Sequence, residues 1–519
     1  MLKQPPVCFF LPAGETAEKI CKCLAKLMDC QIEPLVSSKL RYLESFDWRL
    51  HQAGLQLQQT GSRLELQDKQ SGEIKSVARV KGLAKWPMDL PEGELRTSLC
   101  KILDMRALIP IVSVDTKSNM LSLRNADEKT VLRIRVDQYE CHAPGVAKKF
   151  ELPARVWLLP LKGYESELHQ LEGLLTEDLE RAPATGLLDE ALSAIGRKAG
   201  DYSSKLDFEL HPDMNTDRAM RLILLHLLDT LVNNVEGTKS DIDSEFLHDL
   251  RVATRRTRSA LSQVKKVFPL AVLEDFKARF AWVGQITGAT RDMDVFQLEF
   301  SGFHKLLPDR MHASLEPLRE FNEERRLSEQ RALKRRLNSG QFRDMIKQWR
   351  EYLLKDPEGG EGTENAGRSV LVVSQERIWK MYRKVLKEGR AISADSPPED
   401  MHELRKSCKK LRYLMEFFRS LYPEKLIGAQ IKVLKVLLNN LGDYQDYEVQ
   451  ADKLMNIGEQ MKKEGNAPTE TLMAMGVLVA GLLERQNQAH KDFASCFAGF
   501  DSDENHQAIR TMFKPVIGK

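Results

Sequence analysis

The spacing of apolar residues changes character along the chain. Between Glu15 and Asp29, Ile20, Leu24, Leu27 and Met28 recur at the interval of a helix face. Leu55–Leu57 and Leu64–Leu66 then alternate apolar with polar, as half-buried strands do. Ile109–Val114, Met120–Leu123, Val131–Val136 and Arg155–Leu159 are four further strand candidates, set apart by polar or glycine-containing turns, and Glu165–Leu175 returns to helical spacing. This pattern predicts an antiparallel α+β domain over residues 1–180. From about His211 onward strand-like alternation disappears, and long amphipathic stretches alternate with short breaks. That pattern predicts an all-α region of up-and-down bundles. Pro183, Gly186, Gly196 and Gly200 punctuate residues 181–210, predicted as a linker. Residues 356–369, rich in Gly and Glu, make a second predicted linker, between helical segments 211–355 and 370–519.

Those two helical segments repeat each other. Phe246–Pro269 (FLHDLRVATRRTRSALSQVKKVFP) aligns with Asp400–Pro423 (DMHELRKSCKKLRYLMEFFRSLYP) at a shift of 154 (402 − 248). The shift pairs His248 with His402, Arg251 with Arg405, Arg255 with Lys409, Arg256 with Lys410, Arg258 with Arg412, Lys265 with Arg419 and Pro269 with Pro423. Further on it pairs Gly288 with Gly442, Asp292 with Asp446 and Val295 with Val449. Upstream, Asp217–Arg221 matches Gln375–Lys380 only after a short gap. An unbroken register over this distance predicts a duplication with about four helices in each copy.

Wound at about 100° per residue, His248, Arg251, Arg255, Arg258, Lys265 and Lys266 share a sector roughly 100° wide. Leu250, Thr257, Leu261, Val264 and Phe268 fall on the opposite face and form the predicted core stripe. In the second copy His402, Arg405, Lys409, Arg412 and Arg419 occupy the basic stripe, with Leu404, Leu411, Met415, Phe418 and Tyr422 inside. At ~1.5 Å per residue each stripe extends about 25 Å. A solvated helix face ordinarily mixes signs, with carboxylates three or four residues from the cations. Between Arg251 and Lys266 there is no carboxylate. Self-repulsion present in both copies points to a bound polyanion that offsets it. Arg218, Arg221, Arg377, Arg383, Lys384, Lys432 and Lys435 are secondary basic candidates on neighbouring helices, whereas Arg325–Arg336 is mixed with Glu and is expected to be an exposed helix.

Composition adds boundaries. The 519-residue chain is 42% hydrophobic and carries a formal charge of only +3, so the basic stripes are local features within a near-neutral total. The eight cysteines include no CxxC pair, and Cys21 with Cys23 is a lone CxC, the pattern of free thiols in a reducing compartment. The N-terminus lacks a secretory pattern, and the longest apolar run, Leu472 to Leu483, falls short of the ~20 residues a membrane span needs. A soluble cytoplasmic protein without cofactor or metal is expected, its oligomeric state left open.

HxxRxxxRRxR followed by GxxRDxD, in two copies, resembles the CHAD domain (the conserved-histidine α-helical domain) from about Thr216 to Phe513. The key residues are His248, Arg251, Arg255, Arg258, Gly288, Arg291, Asp292 and Asp294 in one copy. In the other they are His402, Arg405, Lys409, Arg412, Gly442, Asp446 and Glu448. The second copy departs from the pattern at Gln445 and Glu448. The resemblance implies a pair of four-helix bundles related by a pseudo-twofold axis, and inorganic polyphosphate as the partner, with association to polyphosphate granules. Polyphosphate offers regular charge and no bases, so Arg and Lys on a rigid scaffold suit it. Single-stranded nucleic acid would call for interleaved aromatics, and Tyr413 alone provides one, which makes nucleic acid the lesser partner. The spacing supplies no metal site at His248 or His402. They are expected to orient the stripe more than to touch the ligand, and Asp292 and Asp446 to cap or pair with its arginines.

The first 175 residues are similar to a CYTH domain, a barrel-like tunnel that hydrolyses triphosphates with metal, with Tyr42–Leu57, Ile109–Asp137 and Val156–Leu175 in the places of its strands and helices. The family's ExExK strand is replaced by Val7–Leu11 (VCFFL), and its later acidic strand by Val156–Lys162 (VWLLPLK). A hard divalent ion needs carboxylates. Without them metal-dependent triphosphatase activity is not expected, although Arg79, Lys81, Arg133 and Arg135 leave a basic tunnel conceivable on charge alone.

Overall fold

The structure is a computed structural model, and it describes residues 6–12, 15–28, 30–183, 185–355, 363–393 and 395–515. It divides into two compact units, residues 1–203 and 204–519. The boundary falls inside the stretch expected to be a linker, most of which belongs to the first unit and includes a helix. Of the second predicted linker, residues 356–362 lie outside the described residues.

The first unit comprises β1 (Val7–Phe10), α1 (Ala17–Met28), β2 (Gln31–Ile32), β3 (Val36–Glu44), α2 (Arg49–Gln52), β4 (Leu55–Thr60), β5 (Arg63–Asp68), β6 (Ile74–Arg79), α3 (Glu94–Leu103), β7 (Ile109–Arg124), β8 (Thr130–His142), β9 (Phe150–Pro160), α4 (Glu165–Asp178) and α5 (Leu187–Ala194). The strands form one antiparallel sheet ordered β1-β9-β8-β7-β3-β4-β5-β6, with β2 on β7. This hydrogen-bonded path is open, with β1 and β6 at its ends. The two candidates at Ile109–Val114 and Met120–Leu123 are one 16-residue strand, β7. One face packs Leu132, Ile134, Val136, Val156 and Leu158 against α1 and α4. On the other face Leu188, Ala191 and Leu192 of α5 cover Tyr42, Val112, Val114 and Tyr139, so this part of the expected linker packs on the sheet.

The second unit is helical throughout: α6 (Thr216–Asn233), α7 (Val235–Lys239), α8 (Ser244–Gln263), α9 (Leu270–Ile286), α10 (Gly288–His304), α11 (Glu316–Leu337), α12 (Gly340–Leu354), α13 (Val370–Ala391), α14 (Pro398–Phe417), α15 (Glu424–Lys463), α16 (Thr469–Phe500) and α17 (Asp503–Phe513). The first residues of α6, α8 and α9 reappear as those of α13, α14 and α15 at the same shift of 154 (370 − 216, 398 − 244, 424 − 270). The gap expected upstream is therefore absent. The copies also touch at related positions. Thr216 N–H donates to Arg368 O and Val370 N–H to Met214 O, both at 2.9 Å, around an antiparallel bridge between Asn215 and Ser369. Donors at a helix start have no partner in their own helix; here each copy supplies acceptors for the other.

The cores are shared in the same way. One hydrophobic cluster joins α6, α8, α9 and α12 to α13, α14, α15 and α17, and a second joins α10 and α11 to α15 and α16. Independent bundles, one per copy, would have kept these apart. Helix α10 and the matching second half of the 40-residue α15 both enter the second cluster, so the two copies contribute corresponding segments to it.

Close helix contacts rest on glycine at two places. A Cβ on Gly389 would lie 2.0 Å from the Phe497 ring, and one on Gly237 2.1 Å from the Phe246 ring. Gly389→Ala is therefore expected to lower stability by roughly 1–3 kcal/mol, measured as a fall in the thermal or urea midpoint of the intact chain.

Candidate functional site

Helices α8 and α14 pack against each other, and this contact brings the two basic stripes into one field. Burial first, and then the charges of Arg405 and Arg255, pull the Lys409 ammonium down to about 8; Asp446 opposes the shift and Arg412 adds to it. Burial and then Arg255 likewise depress Arg251, with Asp292 opposing and Arg291 adding. Arg255 thus presses on cations of both copies. Arg251, Arg255, Arg291, Arg405, Lys409 and Arg412 form one cluster across the seam, with Arg255 and Arg258 exposed to solvent.

Matched glycines make room for the cluster. Arg251 donates through Nη1 to Gly284 O (3.0 Å) and Thr287 Oγ1 (2.8 Å). A Cβ on Gly288 would sit 3.9 Å from that nitrogen, and one on Gly442 would sit 3.8 Å from Arg405 Nη2. A Cβ at either place would make ordinary van der Waals contact with the guanidinium. Arg258 Nη1 lies against Gly284 in the same manner. The buried Nε groups of Arg251 and Arg405 donate to nothing among the described residues.

Each histidine is tied to the residue 43 positions later. Arg291 donates to His248 Nδ1 at 2.9 Å, which places the hydrogen of a neutral ring on Nε2. His402 Nδ1 meets Gln445 Oε1 instead, so this ring donates from Nδ1. The departure at Gln445 therefore has a geometric consequence, an acceptor opposite His402 where a donor stands opposite His248. Arg291, quoted in the motif but left out of the candidate set, bonds His248 and Ser244 O and lies 4.0 Å from Glu245.

The copies differ in compensation. Arg405 pairs with Asp446 at 3.0 Å and Arg412 with Glu416 at 3.3 Å. No ion pair to Arg251, Arg255, Arg258 or Lys409 occurs among the described residues. The surroundings on α10 and α15 differ as well. Lys453 bonds Asp292 O and lies beside the Asp292 charge, on the Arg251 side. Its mate at the shift of 154 is Glu299 (453 − 299), which lies beside Asp446 on the Arg405 side. Burial, then Asp446, raises the Glu299 carboxyl to about 7, with Lys453 opposing. Neither Lys453 nor Glu299 carries a motif signal, although the two are mates at the shift and act on each other's charge.

Several candidates stand apart from the cluster. Helix α8 ends at Gln263 and Lys266 adopts φ 60°, so Lys265 and Lys266 do not continue the stripe. Helix α14 ends at Phe417, and Arg419 lies in a short 3-10 turn paired with Glu424. From His248 to Arg258 the helical stripe is about 15 Å long, shorter than the expected 25 Å. Lys266 pairs with Glu364, and Arg377 donates to Lys265 O at 3.5 Å. Arg221 is consumed by Asp217, by the Tyr352 and Lys355 carbonyls, and by the Phe268 and Tyr352 rings. Arg256 pairs with Glu416 at 3.0 Å and bonds Ser204 O. Arg218 is exposed on α6, Arg383 and Lys384 are exposed on α13, and Lys410 is half-buried on α14. Lys432 and Lys435 are exposed on α15, on the helix that includes Gly428 and Gly442, the glycines facing Arg419 and Arg405.

In the first unit a polar cavity of about 430 Å³ lies on the sheet face that α5 covers at one end. Arg135, Arg155, Asp137, Tyr139 and Trp157 line it, and buried Arg155 pairs with Glu190 of α5 at 2.6 Å. Arg79, Lys81 and Arg133 are exposed and do not line it. The carboxylates of this face do not fit a divalent ion. Asp137 already accepts from Ser118 (2.6 Å), Tyr139 (2.8 Å) and Arg135 (2.9 Å). Glu65 is held by Gln58, Gln67 and Arg63. Among the described residues no group of three or more His, Cys, Asp or Glu is placed to hold a metal.

Residues 222–455 match the family model described as the CHAD domain. Solved structures similar to the chain include the CHAD domain from the plant Ricinus communis, at 23% identity and TM-score 0.48, covering 57% of this chain and 94% of that one. PptA from Streptomyces chartreusis matches at 14% identity and TM-score 0.43, covering 55% and 99%. A putative adenylate cyclase from Bacillus halodurans matches at 11% identity and TM-score 0.22, covering 35% and 94%. No curated protein matches the sequence.

The strain at Lys409 yields a test. Its folded pKa lies below that of the free side chain, so at neutral pH protonation favours the unfolded chain. That penalty is fully present below about pH 8 and is relieved as pH rises toward the unfolded value. Lys409→Met is expected to raise the thermal midpoint of the unliganded protein at pH 7 by about 2–4 °C. The gain should shrink above pH 9, as followed by circular dichroism.

Proposed function

We propose, from the CHAD domain formed by residues 222–455, that this chain binds inorganic polyphosphate along the seam between α8 and α14. The observation that carries the reading is the convergence of both stripes on Arg255 and Lys409, with Arg251, Arg255 and Arg258 of repeat one in no ion pair among the described residues. A flexible polyanion would neutralise Arg251, Arg255, Arg258 and Lys409 together and raise the depressed Lys409 ammonium back toward its ordinary range. Arg would grip phosphate oxygens bidentately, and Lys would act as a point charge. Tyr413, the one aromatic among the basic residues of the stripes, is buried in the core, with Arg412 over its ring. A single-stranded nucleic acid would therefore find no stacking platform there. No described helix is long and apolar enough to cross a membrane. A cytoplasmic location on polyphosphate granules completes the proposal.

Titration of the purified chain with polyphosphate at two salt concentrations tests it. Replacing Arg251, Arg255, Arg405 and Lys409 with Ala should weaken binding and lower the slope of log K against log salt by roughly 3. Unchanged affinity in the folded variant would remove the site. Competition with single-stranded DNA at fixed salt separates the two polyanions. Binding should also weaken as pH rises through about 8, where Lys409 loses its proton. Lys409→Arg should flatten that profile.

We read the sheet unit as non-hydrolytic, because its facing carboxylates are spent on internal bonds. Incubation of the purified protein with tripolyphosphate and Mg²⁺ or Mn²⁺ is expected to release no phosphate above a protein-free control. Sustained release would overturn this reading.

A further inference from the structure

The duplication makes a comparison possible at each seam position. Arg256 of repeat one reaches Glu416 of repeat two, Nη2 to Oε2 at 3.0 Å, and the other carboxylate oxygen of Glu416 lies 3.3 Å from Arg412 Nε. Arg256 and Glu416 side chains are only 15% and 14% exposed, so this carboxylate sits within the seam and not on the outer surface. The Glu416 charge also reaches Arg419. At the mirrored position the shift of 154 places Lys410 where Arg256 stands and Ser262 where Glu416 stands (416 − 262). The Ser262 hydroxyl bonds the backbone of Ser259. One side of the seam thus contains an internal anion between cations of both copies, and its mate has a neutral hydroxyl.

We propose that Glu416 is a resident counter-anion of the basic seam, which occupies Arg256 and Arg412 and limits the affinity and registration of the bound polyanion. The inference rests on the polyphosphate reading above. Glu416 neutralises Arg412, a cation of the cluster, and Arg256, which the same carboxylate holds apart from it. An incoming chain must either displace the carboxylate, losing two charge-assisted bonds, or run past it and use the open side near Lys410 and Arg258. Either way the carboxylate lowers affinity and makes two geometrically equivalent halves unequal. A purely structural Glu416 would act differently. It would hold α8 and α14 together and have no effect on the charge available to a ligand.

The experiment uses the full chain and sodium polyphosphate, with affinity and salt slope measured alongside the thermal midpoint. Glu416→Gln keeps an acceptor for Arg256 and removes the charge. It should tighten binding roughly three- to tenfold and steepen the salt slope by roughly 1. Ser262→Glu installs the carboxylate on the mirrored side and should weaken binding by a similar factor. Ser262→Glu keeps the test decisive if Glu416→Gln does not fold. Unchanged or weaker binding by a folded Glu416→Gln, or unchanged binding by Ser262→Glu, overturns the inference. Absence of polyphosphate binding by the unaltered chain would instead overturn the proposed function, so the two failures are distinguishable.

Discussion

Like charges held together at a helix–helix seam are the constraint on which the helical unit depends. Arg255 and Lys409 come from copies 154 residues apart, yet the pKa of Lys409 falls to about 8 in part because Arg255 lies close by. Repulsion of this kind drives two helices apart unless their opposite faces are bound more strongly. The opposite face of α8 buries Leu250, Thr257 and Leu261, and that of α14 buries Leu404, Leu411 and Met415. The reciprocal bonds at Thr216 and Val370 and the cores that draw on both copies lock the arrangement. Two bundles with separate cores would have been free to relax apart at the seam. Sharing cores removes that freedom and keeps the cations concentrated.

Backbone symmetry and charge symmetry have parted company in this unit. Helix starts obey the shift of 154 without exception for three successive pairs. The charged residues do not, with Arg291 against Gln445, Glu299 against Lys453 and Ser262 against Glu416. Each exchange adds an acid or removes a base in repeat two, or does the reverse in repeat one, except that Lys453 reaches across to the Asp292 side. The outcome is directional. Repeat one presents Arg251, Arg255 and Arg258 without carboxylate partners, while Arg405 and Arg412 of repeat two are partly neutralised.

The legible parts of the sequence were those governed by periodicity. Helix content after His211, the register of the copies and the separation of a basic stripe from an apolar one all follow from spacing. The ends of the stripes were not legible, because the left-handed turn at Lys266 and the 3-10 turn at Arg419 follow from no helical period. Of the central strand β3 (Val36–Glu44) only the buried end from Tyr42 was legible, because the strand begins exposed and shows no clean alternation. Helix α5 was hidden among the glycines of an expected linker. Partners such as Glu416 for Arg256, 160 residues apart, are products of tertiary contact alone. Two of the basic candidates, Arg221 and Arg256, were indistinguishable by residue type from those of the cluster. What separates them is a nearby carboxylate or carbonyl, which spacing does not reveal.

The matched histidines make sense as parts of the scaffold. His248 and His402 begin their stripes, one turn before the first arginine, and each ring meets the residue 43 positions on, at α10 and α15. Those helices also carry Gly288 and Gly442, against which Arg251 and Arg405 lie. A ring fixed between the two helices sets their separation at the level where the glycine must accept a guanidinium. The unlike partners argue for this role, since a guanidinium donor stands opposite one ring and an amide oxygen opposite the other. The requirement common to both copies is a flat, polar spacer that satisfies whichever partner stands opposite, and imidazole can do this in either tautomer.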